Sequence, residues 1–152
     1  MVVIALISWI VTVCAGLYLL AIWLIEYDIS APGGAVSRLP RTIISGHGLL
    51  ASSGLLVWIG YLIVDRDMLG WVALATLVAV VLLGLTMLGR WIVVRRALGA
   101  ALRARPGDVF ARARVVAPAE SHFPVPVVVA HGVLAFSTVT LVLLTVLGVG
   151  GS

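Results

Sequence analysis

Lysine is absent from this chain, cysteine occurs once, and charged residues fill only 11% of its 152 positions. Soluble domains are about a quarter charged, so this scarcity excludes a water-soluble globule. A lone cysteine, Cys14, excludes a disulfide framework or a thiolate metal cluster within one chain. None of the six acidic residues stands inside a long apolar run. The chain thereby lacks the carboxylates that carry protons or cations through many transporters and channels. No serine sits in a nucleophile motif beside a base. Gly46-His47-Gly48 is no phosphate loop, and Gly148-Val149-Gly150-Gly151 follows no strand. The net charge of +4 is spread too thinly for a nucleic-acid groove, so no nucleic acid is expected as a partner.

What is present is apolar. Hydrophobic residues make up 62% of the chain, and the mean hydropathy is +1.24. Residues 1–152 read as one all-α integral membrane domain, a four-helix up-down bundle embedded in the lipid bilayer. Its expected spans are about 2–25, 42–64, 68–94 and 123–148, each long enough to cross roughly 30 Å of hydrocarbon. A signal peptide is the competing reading of the first span. No basic residue precedes that run, and it is too long for the apolar region of a leader.

Arginine counting orients the chain. Nine of the ten arginines fall on the side of the connections between spans one and two and between spans three and four, Arg90 at the end of span three; Arg66 alone falls on the other side. The positive-inside rule then places both longer connections in the cytoplasm and both termini outside it, as expected for a multi-pass protein of the bacterial plasma membrane. Trp23, Tyr27 and Trp91 fall at the inner interface, and Tyr61 and Trp71 at the outer one. The basic segment 95–122 reads as a loop or short surface helix held by anionic lipid.

An internal repeat carries two of the three histidines. Pro40 stands seven residues before His47, and Pro124 seven before His131. The continuations His47-Gly48-Leu49-Leu50-Ala51-Ser52-Ser53 and His131-Gly132-Val133-Leu134-Ala135-Phe136-Ser137 align without a gap. The first and third spans share a weaker pattern: Gly16-Leu17, Leu20 and Trp23 match Gly84-Leu85, Leu88 and Trp91. The chain therefore reads as two tandem helical hairpins related by an axis along the membrane normal. Such an axis sets His47 and His131 at one depth, roughly 10 Å beyond their prolines. His122, just before Phe123-Pro124, reads as a solvated interface residue.

Ionisable groups at membrane depth are costly and usually face a bundle interior. Small residues follow both histidines at helical spacing. Ala51 and Ala135 lie at i+4, Gly54 and Thr138 at i+7, and Gly48 and Gly132 are adjacent. This face can admit a close helix or leave a slot for a flat ligand. Two imidazoles with an iron between them match the diagonal of a four-helix square. His47 and His131 are thus the candidate metal ligands of a haem b. Arg41 and Arg90, with Arg38, are the cations nearest its propionates.

On these two His-Gly motifs the chain resembles the four-helix membrane cytochromes b, in which histidines on paired helices clamp haem inside the bilayer. The resemblance implies a membrane electron-transfer protein. In the ascorbate-reducible branch four histidines hold two haems on opposite sides. Here the outer half has no histidine, which implies one haem that serves a quinone or a larger membrane complex. Two readings compete. Two histidines can begin a zinc or copper site, although catalytic zinc usually wants three protein ligands. The chain can also be a non-catalytic accessory or assembly subunit with structural histidines, using Gly16, Gly46, Gly54 and Gly60 as contact faces. Whether it is an enzyme is left open by the sequence.

Overall fold

The computed structural model describes residues 1–27, 37–104 and 118–149. All regular structure in these residues is helical: α1 (Val2–Glu26), α2 (Arg41–Val64), α3 (Asp67–Ala104), a single 3-10 turn (Ala119–His122) and α4 (Val125–Val146). All four long helices are long and apolar enough to cross a membrane. Their composition explains this. In water, most helices of such length would bury one apolar stripe and expose a polar one; these expose leucine, isoleucine and valine on their outer faces.

The helix ends follow local chemistry. Pro40 and Pro124 both adopt extended backbone immediately before α2 and α4, so each repeat histidine is the seventh residue of its helix. Proline tolerates this place because its missing N–H is one that a helix start leaves unpaired anyway. Between α2 and α3 the chain reverses through Asp65-Arg66. Asp65 takes the left-handed conformation at φ 51°, and its N–H donates to Tyr61 O at 2.9 Å. Aspartate is among the few residues that visit this region readily.

The main departure from the expected spans is α3. It continues to Ala104, ten residues beyond the span ending at 94, so Arg95, Arg96 and Arg103 lie on the same helix as the span rather than in a loop or a separate surface helix. Its 38 residues extend roughly 57 Å, far more than a hydrocarbon core needs. Leucine, alanine and arginine, all good helix formers, carry it onward. The remainder of the basic segment, with Arg105, Arg112 and Arg114, lies outside the described residues.

Packing is uneven around the bundle. α2 lies closest to α3, and α1 to α4, while the α1/α2 and α3/α4 seams are looser. Buried side chains form two separate cores. One gathers Ala5, Trp9, Trp58, Ala73, Leu77 and Val142; the other gathers Trp23, Leu39, Trp91, Ala119 and Phe123. In the first, the ring of Trp9 occupies the space a side chain at Gly54 would fill, 3.0 Å from the position of a Cβ there. Between the cores lies a layer whose residues are at most half-buried. No residue is buried between Trp9 and Trp23, between Leu39 and Gly54, between Val80 and Trp91, or between Phe123 and Thr138. These intervals make the layer roughly 16–22 Å tall.

Candidate functional site

The paired histidines occupy that layer. His47 comes from α2 and His131 from α4, and their rings face each other with centroids 6.3 Å apart and planes inclined at 61°. Both are half-buried. Each ring is held from behind by a helix backbone. His47 Nδ1 lies 3.0 Å from Val80 O on α3, and His131 Nδ1 lies 3.1 Å from Thr12 O on α1. A carbonyl oxygen only accepts, so Nδ1 must carry the proton in a neutral ring, and Nε2 keeps its lone pair. Neither Nε2 has a hydrogen-bond partner among the described residues. Nor is either sealed off: the enclosed, unpartnered side-chain atoms there are Trp58 Nε1 and Trp91 Nε1.

The contacts obey the repeat. Thr12 and Gly16 stand to Val80 and Gly84 at an offset of 68 residues, and His47 stands to His131 at 84. Gly16 faces the His131 ring just as Gly84 faces the His47 ring. The two halves thus repeat one local arrangement about the midpoint between the imidazoles.

The other expected site residues divide into three groups. Ala51 and Ala135 are half-buried one turn beyond the histidines. Gly54 and Thr138 close the layer on the side of the first core. Gly54 is packed by Trp9 and Thr76, and Thr138 Oγ1 lies 2.8 Å from Ser8 Oγ and 3.2 Å from Thr12 Oγ1. Gly48 and Gly132 meet open space, with nothing within 4 Å of a Cβ placed there. Arg41 and Arg90 stand at the other end. Arg41 donates to Tyr27 Oη at 2.6 Å through Nη2, and Arg90 Nη1 donates to Arg38 O at 3.1 Å. His122 is exposed and pairs with Glu26 at 3.5 Å.

The sequence points to Gly16 only as a helix contact face, and to Gly84 and Glu120 not at all. The signal for the glycines was the weaker repeat of α1 and α3, whose first matched residue is the glycine in both copies. Glu120 gave no signal, because its partners are distant in the chain. Its carboxylate is wholly buried, accepting from Ser37 Oγ at 3.0 Å and from Arg38 N at 2.8 Å. Ser37 in turn accepts from Trp23 Nε1 at 2.9 Å. The repeat-related Trp91 Nε1 has no such partner, so the inner repeat is broken here.

A site of two neutral imidazoles has limited chemistry. Among the described residues no cluster of three or more histidine, cysteine, aspartate or glutamate side chains is placed to hold a metal. Two nitrogen donors alone leave a zinc ion short of its usual protein ligands. They suffice for an iron whose other four ligands come with a porphyrin. No protein-family model, curated protein or solved structure matches the chain.

Proposed function

We propose that this chain is a membrane-embedded electron-transfer protein that holds one b-type haem between His47 and His131. The observation that carries the reading is the pair itself: two unpartnered Nε2 atoms on rings 6.3 Å apart, between the two cores. A histidine with a purely structural role would be expected to use both nitrogens, since an unpaired polar atom in a low-dielectric interior is costly. The matched arrangement leaves the same nitrogen free twice.

In this reading His47 and His131 would hold the haem, which would supply one-electron chemistry at its iron. Val80 O and Thr12 O fix the tautomer and ring orientation, and the hydrogen bonds they accept make each Nε2 a stronger donor. Ala51 and Ala135 leave room beside the ring, and Gly54 with Thr138 bounds the layer. Arg41, six residues before His47, and Arg90, six after Gly84, are the nearest cations along their helices for propionates. One haem without a partner on the other side suits exchange with a quinone or service within a larger membrane complex.

The reading includes an orientation. The four helices cross a bacterial plasma membrane alternately up and down, with both termini outside and the basic connections against anionic lipid of the inner leaflet. A periplasm-active reporter fused after Ser152 is expected to be active, and a cytoplasm-active one silent; the reverse pattern would refute this topology. The cofactor is tested by the optical spectrum of the purified protein, oxidised and then reduced with dithionite. A Soret band that shifts and sharp α and β bands on reduction are expected. Colourless protein after expression with ample haem would favour the accessory-subunit reading.

A further inference from the structure

We propose that Gly16 and Gly84 are positioning residues: their missing side chains hold His131 and His47 as Nδ1–H tautomers, each presenting a bare Nε2 to the ligand between them. The proposal deepens the haem reading, and its first test is independent of haem.

Every Cα–Cβ bond in a helix leans toward the N-terminus, so a side chain covers the turn that precedes it. The side chain at i+4 therefore shields the carbonyl at i. Gly16 is four residues after Thr12, and Gly84 four after Val80. These are the two carbonyls that face the imidazoles. A carbonyl oxygen has two lone pairs, one engaged by its own helix. Glycine at i+4 uncovers the other, and the imidazole takes it.

The space is specific to the ring. A Cβ at Gly16 would lie 3.1 Å from His131 Cε1 and 3.7 Å from its Nδ1. A Cβ at Gly84 would lie 3.2 Å from His47 Cε1 and 3.7 Å from its Nδ1. The same ring atom is touched in both halves, from helices that share only this short pattern. Cε1 lies between the two nitrogens, so pushing it turns Nδ1 off the carbonyl and moves Nε2 together with it. Gly48 and Gly132 provide the contrast, adjacent to the histidines yet facing open space. A general need for small residues beside a histidine would not separate these pairs.

Two consequences follow. With Nδ1–H donating to a carbonyl, each Nε2 is a stronger donor, which stabilises the more oxidised state of a metal it binds. Loss of either bond should raise the midpoint potential. The pairing also crosses the repeat, since the glycine of α1 serves the histidine of α4 and the glycine of α3 serves that of α2.

The test uses the full chain in lipid nanodiscs, labelled with 15N-histidine and prepared without added haem. Two Nδ1–H imidazoles are expected in the wild type. Gly84→Ala should perturb His47 alone, Gly16→Ala His131 alone, and Gly48→Ala and Gly132→Ala neither. Nε2–H rings in the wild type overturn the proposal, as does a Gly16→Ala or Gly84→Ala spectrum identical to that of Gly48→Ala. Should Gly84→Ala fail to accumulate, the double variant Gly84→Ala/His47→Ala removes the clashing ring and is expected to regain accumulation. A double variant as defective as the single one refutes the role. In haem-loaded protein the midpoint potential should rise in Gly16→Ala and Gly84→Ala and stay constant in Gly48→Ala. Two Nδ1–H rings in a wild type that never takes up haem would overturn the haem reading and leave the glycine role standing.

Discussion

Replacing either His47 or His131 with alanine is expected to remove most of the haem absorbance from the purified protein. In the proposed site each ring would supply one of only two protein bonds to the iron, and neither ring could take the place of the other across a separation of 6.3 Å. Outer-shell partners of metal ligands typically carry about 10–100-fold in affinity, and loss of a ligand should exceed that range. His122→Ala serves as the control, because His122 stands exposed beside Glu26 at the end of the bundle. Haem content per protein, measured by absorbance in the three variants, checks this. Full haem retention in His47→Ala and His131→Ala would refute the ligand assignment, and equal loss in His122→Ala would indicate a folding effect rather than ligation.

The second large effect concerns stability. Glu120→Ala is expected to destabilise the fold by about 3 kcal/mol, from the loss of two part-buried hydrogen bonds to a charged acceptor. Glu120 has 0% exposure and joins the 3-10 turn before α4 to Ser37 and Arg38 before α2. Ser37 also holds the indole of Trp23, whose ring stacks on Tyr27 at 4.6 Å. Losing the carboxylate therefore loosens the point where both long connections meet. Glu120→Gln retains one acceptor but turns an amide N–H toward the other donor, so about half the loss is expected. Unfolding in mild detergent measures both. A change below about 1 kcal/mol for Glu120→Ala would show that these bonds are replaced by water.

The four long apolar helices and the paired histidines were legible in the sequence for simple reasons. An uncharged run of more than twenty residues has few alternatives to a spanning helix, and the structure has four helices of that length and apolarity. The Pro-x6-His frame put both histidines at the same turn of their helices, because proline marks a helix start and the rise per residue is constant. The helical extension of α3 to Ala104 was not legible, because arginine and alanine favour a helix equally in water and at a membrane surface. Hydropathy marks the edge of the apolar run and carries no signal for the end of the hydrogen-bonded one.

What composition and local pattern determined, then, were the elements: helix number, approximate span and the level of each histidine. These depend on contacts within a few residues and on the solvent each segment tolerates. Which backbone each imidazole meets was decided only by the tertiary structure. Thr12 and His131 are 119 residues apart, Val80 and His47 are 33 apart, and Glu120 lies 82 from Arg38. No local propensity encodes such pairs. They arise because α1 packs on α4 and α2 on α3 rather than each hairpin closing tightly on itself. In that packing Gly16 and Gly84, matched in the sequence only as the start of a weak repeat, become the space an imidazole occupies.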